Sequence, residues 1–147
     1  MLEVQTGERR RLEGKMSRRA LVIEDDSTNL ELVVAVLEKD GWIAQAAVSG
    51  EAGLRMARTE RPDLIIMDIR MPGMTGLEAT QLLKADPCTA SVPILIVTAQ
   101  ALRGDAERAR LAGAEAYLTK PLDLRQFRET VDRLMANPPG GGQDHGL

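Results

Sequence analysis

The sequence predicts an alternating α/β fold built around a parallel sheet. Three observations carry that expectation. Short apolar runs alternate with amphipathic stretches of helical length, the pairing repeats five times, and the three central runs are apolar without interruption, as strands covered on both faces must be. With 147 residues the chain has room for one domain and one core.

Taken in order, the first strand is expected over Ala20–Ile23. Behind it, Leu30, Val33, Val34 and Leu37 fall at helical spacing and define one buried stripe; Ser27 or Thr28 can cap the start of that helix, and Asp40-Gly41 marks its end. Trp42–Ala47 is weaker and more mixed, which suits a strand nearer the sheet edge. Leu64–Met67 and Ile94–Val97 are rich in branched residues and read as central strands. Thr75 is placed to cap the third helix and Asp105 the fourth, with Ala112-Gly113 ending the latter. Ala116–Thr119 reads as a fifth, edge-type strand. The last helix follows Asp123 and carries Leu124, Phe127, Val131 and Leu134.

The expected domain spans residues 18–136. Residues 1–17 hold Arg9, Arg10 and Arg11 in a polar mixture without periodicity and are expected to form a flexible arm. Residues 137–147 are expected to be a flexible tail, because the Pro and Gly of Asn137-Pro138-Pro139-Gly140-Gly141-Gly142 cannot continue a helix. His145, alone in that tail, receives no role.

Composition excludes several classes of function. Hydrophobic residues at 44% and charged residues at 28% argue against disorder, and a net charge of −3 lacks the basic excess that direct nucleic-acid binding requires. A single cysteine, Cys88, cannot form an internal disulfide. No apolar run approaches the ~20 residues needed to span a bilayer, so membrane insertion is not expected. The N-terminus has no apolar secretory core, and a cytoplasmic protein is the expectation.

The informative residues follow the strands. Strand one runs into Glu24-Asp25-Asp26, strand three into Asp68, strand four into Thr98 and strand five into Lys120-Pro121. In a parallel sheet all four clusters share the carboxyl edge, where ligands of open α/β sheets bind. Each has an ordinary reading on its own: Asp26 as a helix cap, Asp68 as a turn residue before Pro72-Gly73, Thr98 as a turn, Lys120 as a solvated charge. Together they converge. Gathered carboxylates repel unless a cation offsets them, and oxygen ligands select a hard cation, Mg²⁺. A lysine and a hydroxyl facing the same point would receive an anion such as a phosphoryl group.

The same residues make the chain resemble the receiver domains of bacterial two-component response regulators. The likeness runs from about Arg19 to Ala136 through Leu21-Val22-Ile23-Glu24-Asp25-Asp26, Pro62-Asp63-Leu64-Ile65-Ile66-Met67-Asp68-Ile69-Arg70-Met71-Pro72-Gly73-Met74-Thr75-Gly76, Pro93-Ile94-Leu95-Ile96-Val97-Thr98-Ala99 and Tyr117-Leu118-Thr119-Lys120-Pro121. Through Thr98-Ala99-Gln100-Ala101-Leu102-Arg103-Gly104-Asp105 it is most similar to stand-alone, single-domain regulators of the cell-division type.

The resemblance implies a flavodoxin-like (βα)5 three-layer sandwich with strand order 2-1-3-4-5. It implies that Asp68 is the phosphoacceptor, that Asp25 binds Mg²⁺ directly and Glu24 through water, and that the main-chain carbonyl of Arg70 is a further ligand. Lys120 would pair with the phosphoryl oxygens, and the Lys120-Pro121 bond would be cis. Thr98 and Tyr117 would form the switch, and the residues two beyond Asp68 and Thr98, Arg70 and Gln100, would tune phosphate lifetime. Arg70 either shields the acyl phosphate or points to solvent or a docking kinase. Implied partners are a sensor histidine kinase or histidine phosphotransfer protein as donor and a downstream effector docking on the fourth helix, fifth strand and fifth helix. The fourth helix, with Arg103, Glu107, Arg108 and Arg110 among alanines, is expected to show little apolar surface. These residues are neutral on oligomeric state.

Three other readings compete. An Mg²⁺-dependent phosphatase with an aspartyl-phosphate intermediate usually has a second aspartate two residues after the nucleophile, where this chain has Arg70. A flavin carrier needs hydroxyls and glycines after strand one, not three acids that would repel the flavin phosphate. A phosphorylation-independent interaction module would have no need of the intact set of acids, hydroxyl and lysine.

Overall fold

The computed structural model describes residues 18–99 and 101–139. Five strands, β1 (Arg19–Ile23), β2 (Ile43–Ala47), β3 (Leu64–Met67), β4 (Ile94–Thr98) and β5 (Ala116–Thr119), alternate with five helices, α1 (Ser27–Lys39), α2 (Gly50–Glu60), α3 (Gly76–Ala85), α4 (Asp105–Ala112) and α5 (Leu124–Ala136). The strands form one parallel sheet in the order β2-β1-β3-β4-β5.

Strand periodicity divides the core in two. Ala20, Val22, Leu64, Ile66, Leu95, Val97 and Leu118 face α1 and α5, where Val33, Leu37, Phe127, Val131 and Leu134 meet them. The alternate residues Leu21, Ile23, Ile65, Met67, Ile94 and Ile96 form the other layer with Ala57, Ala79, Leu83 and Ala109 of α2, α3 and α4. Successive side chains of a strand point to opposite faces, so a strand sandwiched between helix layers must be apolar at every position. β3 meets that condition throughout, and β1 and β4 meet it apart from Arg19 and Thr98 at their ends.

Helix starts set how each loop leaves the sheet. Asp26, rather than Ser27 or Thr28, caps α1 by accepting from the Asn29 N–H at 3.0 Å. Ser49 caps α2, Asp123 caps α5, and Thr75 with Glu78 forms a reciprocal capping box on α3. Asp105 does not cap α4. The cap position is Gly104, in left-handed backbone at φ +86°, and Asp105 is the first helical residue. Leu124 is also displaced from its expected role: it is exposed at the start of α5, while Thr130 completes the buried stripe. Among the described residues no helix is long and apolar enough to cross a membrane.

Candidate functional site

Sheet register builds the site. Ile23 pairs with Met67, Met67 with Ile96, and Thr98 with Thr119, so the residues that end or follow these strands occupy adjoining positions on one edge. Backbone bonds continue this alignment: the Asp68 N–H donates to the Ile23 carbonyl at 3.2 Å and the Lys120 N–H to the Thr98 carbonyl at 3.0 Å. Glu24, Asp68, Thr98 and Lys120 thereby converge, and the Lys120-Pro121 peptide bond is cis.

Carboxylate oxygens of Glu24, Asp25 and Asp68 lie within 4.8 Å of one another. Glu24 and Asp68 are buried and Asp25 is exposed. Lys120 Nζ stands between the two buried acids, 2.6 Å from Glu24 Oε1 and 3.7 Å from Asp68 Oδ2. Burial pushes the Glu24 carboxyl above its usual range and the Asp68 charge adds to this, while the bond from Lys120 pulls it back. Asp26 is turned away to cap α1, and its N–H donates to Glu24 Oε2 at 3.2 Å. The third acid of the run thus orients the first.

Two further features suit an incoming anion. Thr98 Oγ1 is buried and has no hydrogen-bond partner among the described residues, a state that costs ~1–3 kcal/mol unless something answers it. The Asp68 carboxylate accepts the Arg70 N–H at 3.3 Å, so the loop after β3 wraps the acid with its backbone. Gly76 makes this wrap possible, because a Cβ there would collide with the Asp68 carbonyl.

The donor set fits a hard divalent cation. Three carboxylates face a single lysine, leaving excess negative charge, and every side-chain ligand would be oxygen. Glu24, Asp25 and Asp68, with the Arg70 carbonyl, are the groups that would hold it.

A family model described as the response regulator receiver domain matches residues 20–132. The chain belongs to that family. This receiver is 40% identical over 116 residues to the polar-differentiation response regulator DivK of Brucella abortus, covering 79% of this chain and 94% of that protein. Its fold is similar to that of a putative response regulator from Chloroflexus aurantiacus, with a TM-score of 0.79 at 30% identity over 82% of this chain and 99% of that one. It is also similar to the chemotaxis protein CheY4 of Vibrio cholerae, with a TM-score of 0.75 at 26% identity over 80% of this chain and 98% of that one. The chain is accordingly a receiver domain like those of response regulators, consistent with two-component signalling, and flavodoxin-like in strand order.

In the unmodified site the Arg70 guanidinium is turned to the α4 start, where its Nη2 donates to the buried Asp105 Oδ2 at 2.5 Å. One expectation about this receiver changes: the α4 region is not poor in apolar surface, since Leu102 is 57% exposed and Leu111 68%. Gln100 lies outside the described residues, as do residues 1–17 and 140–147. Tyr117 is half-buried against the apolar layer beneath α4. Burial raises its phenol pKa, the Asp105 charge adds to the rise, and Arg70 opposes it. Sequence reasoning passed over Asp105 as anything but a cap, because its partner Arg70 is 35 positions away and no local pattern links them.

Proposed function

We propose that the protein is a single-domain response regulator that accepts a phosphoryl group from a phosphohistidine onto Asp68 and thereby changes what binds its α4-β5-α5 face. The observation that carries this reading is the convergence of Glu24, Asp25 and Asp68 with Lys120 and the unpartnered Thr98 hydroxyl on one sheet edge.

In that reaction Asp68 Oδ attacks phosphorus, the P–N bond to the donor imidazole breaks, and its electrons remain with the imidazole, which takes up a proton. The attacking group is the Asp68 carboxylate oxygen itself, so nucleophilic attack asks for no separate hydroxyl or thiol to be deprotonated. Charge builds on the three equatorial oxygens in the transition state, so the site's task is positioning and electrostatics. Lys120, already 3.7 Å from Asp68, is placed to pair with one of those oxygens. Bound Mg²⁺ supplies further charge neutralisation. Thr98 supplies the donor that answers the new phosphoryl group, and the half-buried Tyr117 follows on the next strand.

The chain is a reactant in this exchange, not a turnover enzyme. Its partners are a sensor histidine kinase or histidine phosphotransfer protein, which supplies the phosphoryl group, and an effector that reads the switched face, all in the cytoplasm. Exposed Leu102 and Leu111 give that face apolar anchors among arginines, a composition suited to reversible docking. The test is transfer from a labelled phosphohistidine protein in Mg²⁺. Label is expected on the wild-type chain and not on Asp68→Asn; label retained by Asp68→Asn would reject Asp68 as the acceptor.

A further inference from the structure

Arg70 joins two parts of the molecule. Its backbone N–H donates to Asp68 Oδ1 at 3.3 Å, while its guanidinium reaches Asp105 at the first residue of α4. Asp105 is only 1% exposed and is held three ways: Oδ2 accepts from Arg70 Nη2 and from the Leu102 N–H at 2.8 Å, and Oδ1 accepts from Arg108 Nη2 at 3.2 Å. The Arg70 guanidinium makes no ion pair with Asp68, whose side-chain partner is Lys120. Arg70 Nε is buried and donates to nothing among the described residues.

We propose that Asp105 is a positioning residue that holds the Arg70 guanidinium off Asp68, and that a phosphoryl group on Asp68 takes Arg70 from Asp105, freeing the first turn of α4. The proposal rests on the reading of Asp68 as phosphoacceptor.

Charge and geometry favour the exchange. Asp105 offers one negative charge, whereas a phosphoryl group carries about −1.5 to −2 and three acceptor oxygens that suit the guanidinium fork. Arg70 springs from the same loop as Asp68, two residues on, and its side chain is 36% exposed, so it has room to swing. Asp105 is not stranded when Arg70 leaves, because the Leu102 N–H and Arg108 still satisfy it. A buried carboxylate abandoned without partners would block such a switch.

The consequence falls on α4. Its cap, Gly104, provides no side-chain bond, so the Arg70–Asp105 ion pair is what ties this helix start to the β3–α3 loop. Burial raises the Tyr117 phenol pKa, the Asp105 charge raises it further and the Arg70 charge opposes both. Exchange of the ion pair therefore alters the surroundings of the phenol as well as the helix start.

A double-mutant cycle tests this on the full chain, reading calorimetric affinity for fluoride-beryllium, a phosphoryl mimic, in Mg²⁺. Asp105→Asn should bind the mimic more tightly, on the order of fivefold to tenfold, because Arg70 is no longer held away. Arg70→Ala should bind it more weakly, and adding Asp105→Asn to Arg70→Ala should change nothing further. Unchanged or weaker binding by folded Asp105→Asn, or tightening that persists without Arg70, would overturn the exchange. Should Asp105→Asn fail to fold, the Arg70 Nε–H resonance of the wild type decides: it should shift when the mimic binds, and an unmoved resonance rejects the proposal. Wild type that does not bind the mimic at all would instead remove the phosphoacceptor reading beneath it.

Discussion

Thr98 illustrates how a single side chain can be unfavourable for folding and useful for switching. Its hydroxyl is buried at the end of β4 without a partner among the described residues, so the unmodified fold bears the cost of a desolvated donor. Thr98→Val keeps the shape and removes the orphan. It should raise the stability of the unmodified protein by about 1 kcal/mol, measured by urea unfolding, while abolishing any phosphoryl-dependent change in effector binding. Equal or lower stability would mean that the hydroxyl is satisfied in solution. Residue identities at this edge were the most legible part of the sequence, because Glu24, Asp25, Asp68, Thr98 and Lys120 each end or follow an apolar run. What those runs could not convey was how the side chains pair. Lys120 was expected to serve a phosphoryl group, and in the unmodified site it is engaged most closely with Glu24 at 2.6 Å.

At the scale of elements, the five strands and five helices follow from period-two and period-3.6 patterning. Boundaries shifted where a competing cap was available. Of the caps the sequence offers at α1, Asp26 takes the position over Ser27 and Thr28 because its carboxylate meets the Asn29 N–H, and Gly104 displaced Asp105 at α4 because the chain there adopts positive φ. Close packing makes two sensitive positions. Phe127, buried between α5 and the sheet, should cost about 3–5 kcal/mol when changed to Ala. Gly76→Ala should cost about 1–3 kcal/mol, since its methyl group meets the Asp68 carbonyl and forces the β3–α3 loop outward. Denaturant unfolding checks both. Gly76→Ala should in addition weaken Mg²⁺ binding, whereas Phe127→Ala should leave the affinity of the folded fraction unchanged.

For the whole molecule, the sheet order β2-β1-β3-β4-β5 puts the central strands β1 and β3 side by side and so concentrates negative charge at one edge. That concentration opposes folding until a cation offsets it. Mg²⁺ should therefore raise the thermal midpoint, by linkage amounting to about 2.7 kcal/mol at 100-fold excess over Kd. Asp25→Asn should raise the metal-free midpoint and remove most of the Mg²⁺ increment; an increment that survives would place the cation elsewhere. Long-range ion pairs such as Arg70–Asp105, which join this edge to α4, depend on tertiary approach and leave no trace in local sequence pattern.

The central claim is that Asp68 accepts a phosphoryl group with the help of a divalent cation. Intact-mass measurement after incubation with phosphoramidate, a small donor with a P–N bond, tests it most directly. Wild type should gain one acid-labile phosphoryl group in Mg²⁺ and none after chelation, and Asp68→Asn should gain none. A phosphoryl adduct on Asp68→Asn, or folded wild type that stays unmodified in Mg²⁺, would contradict the account.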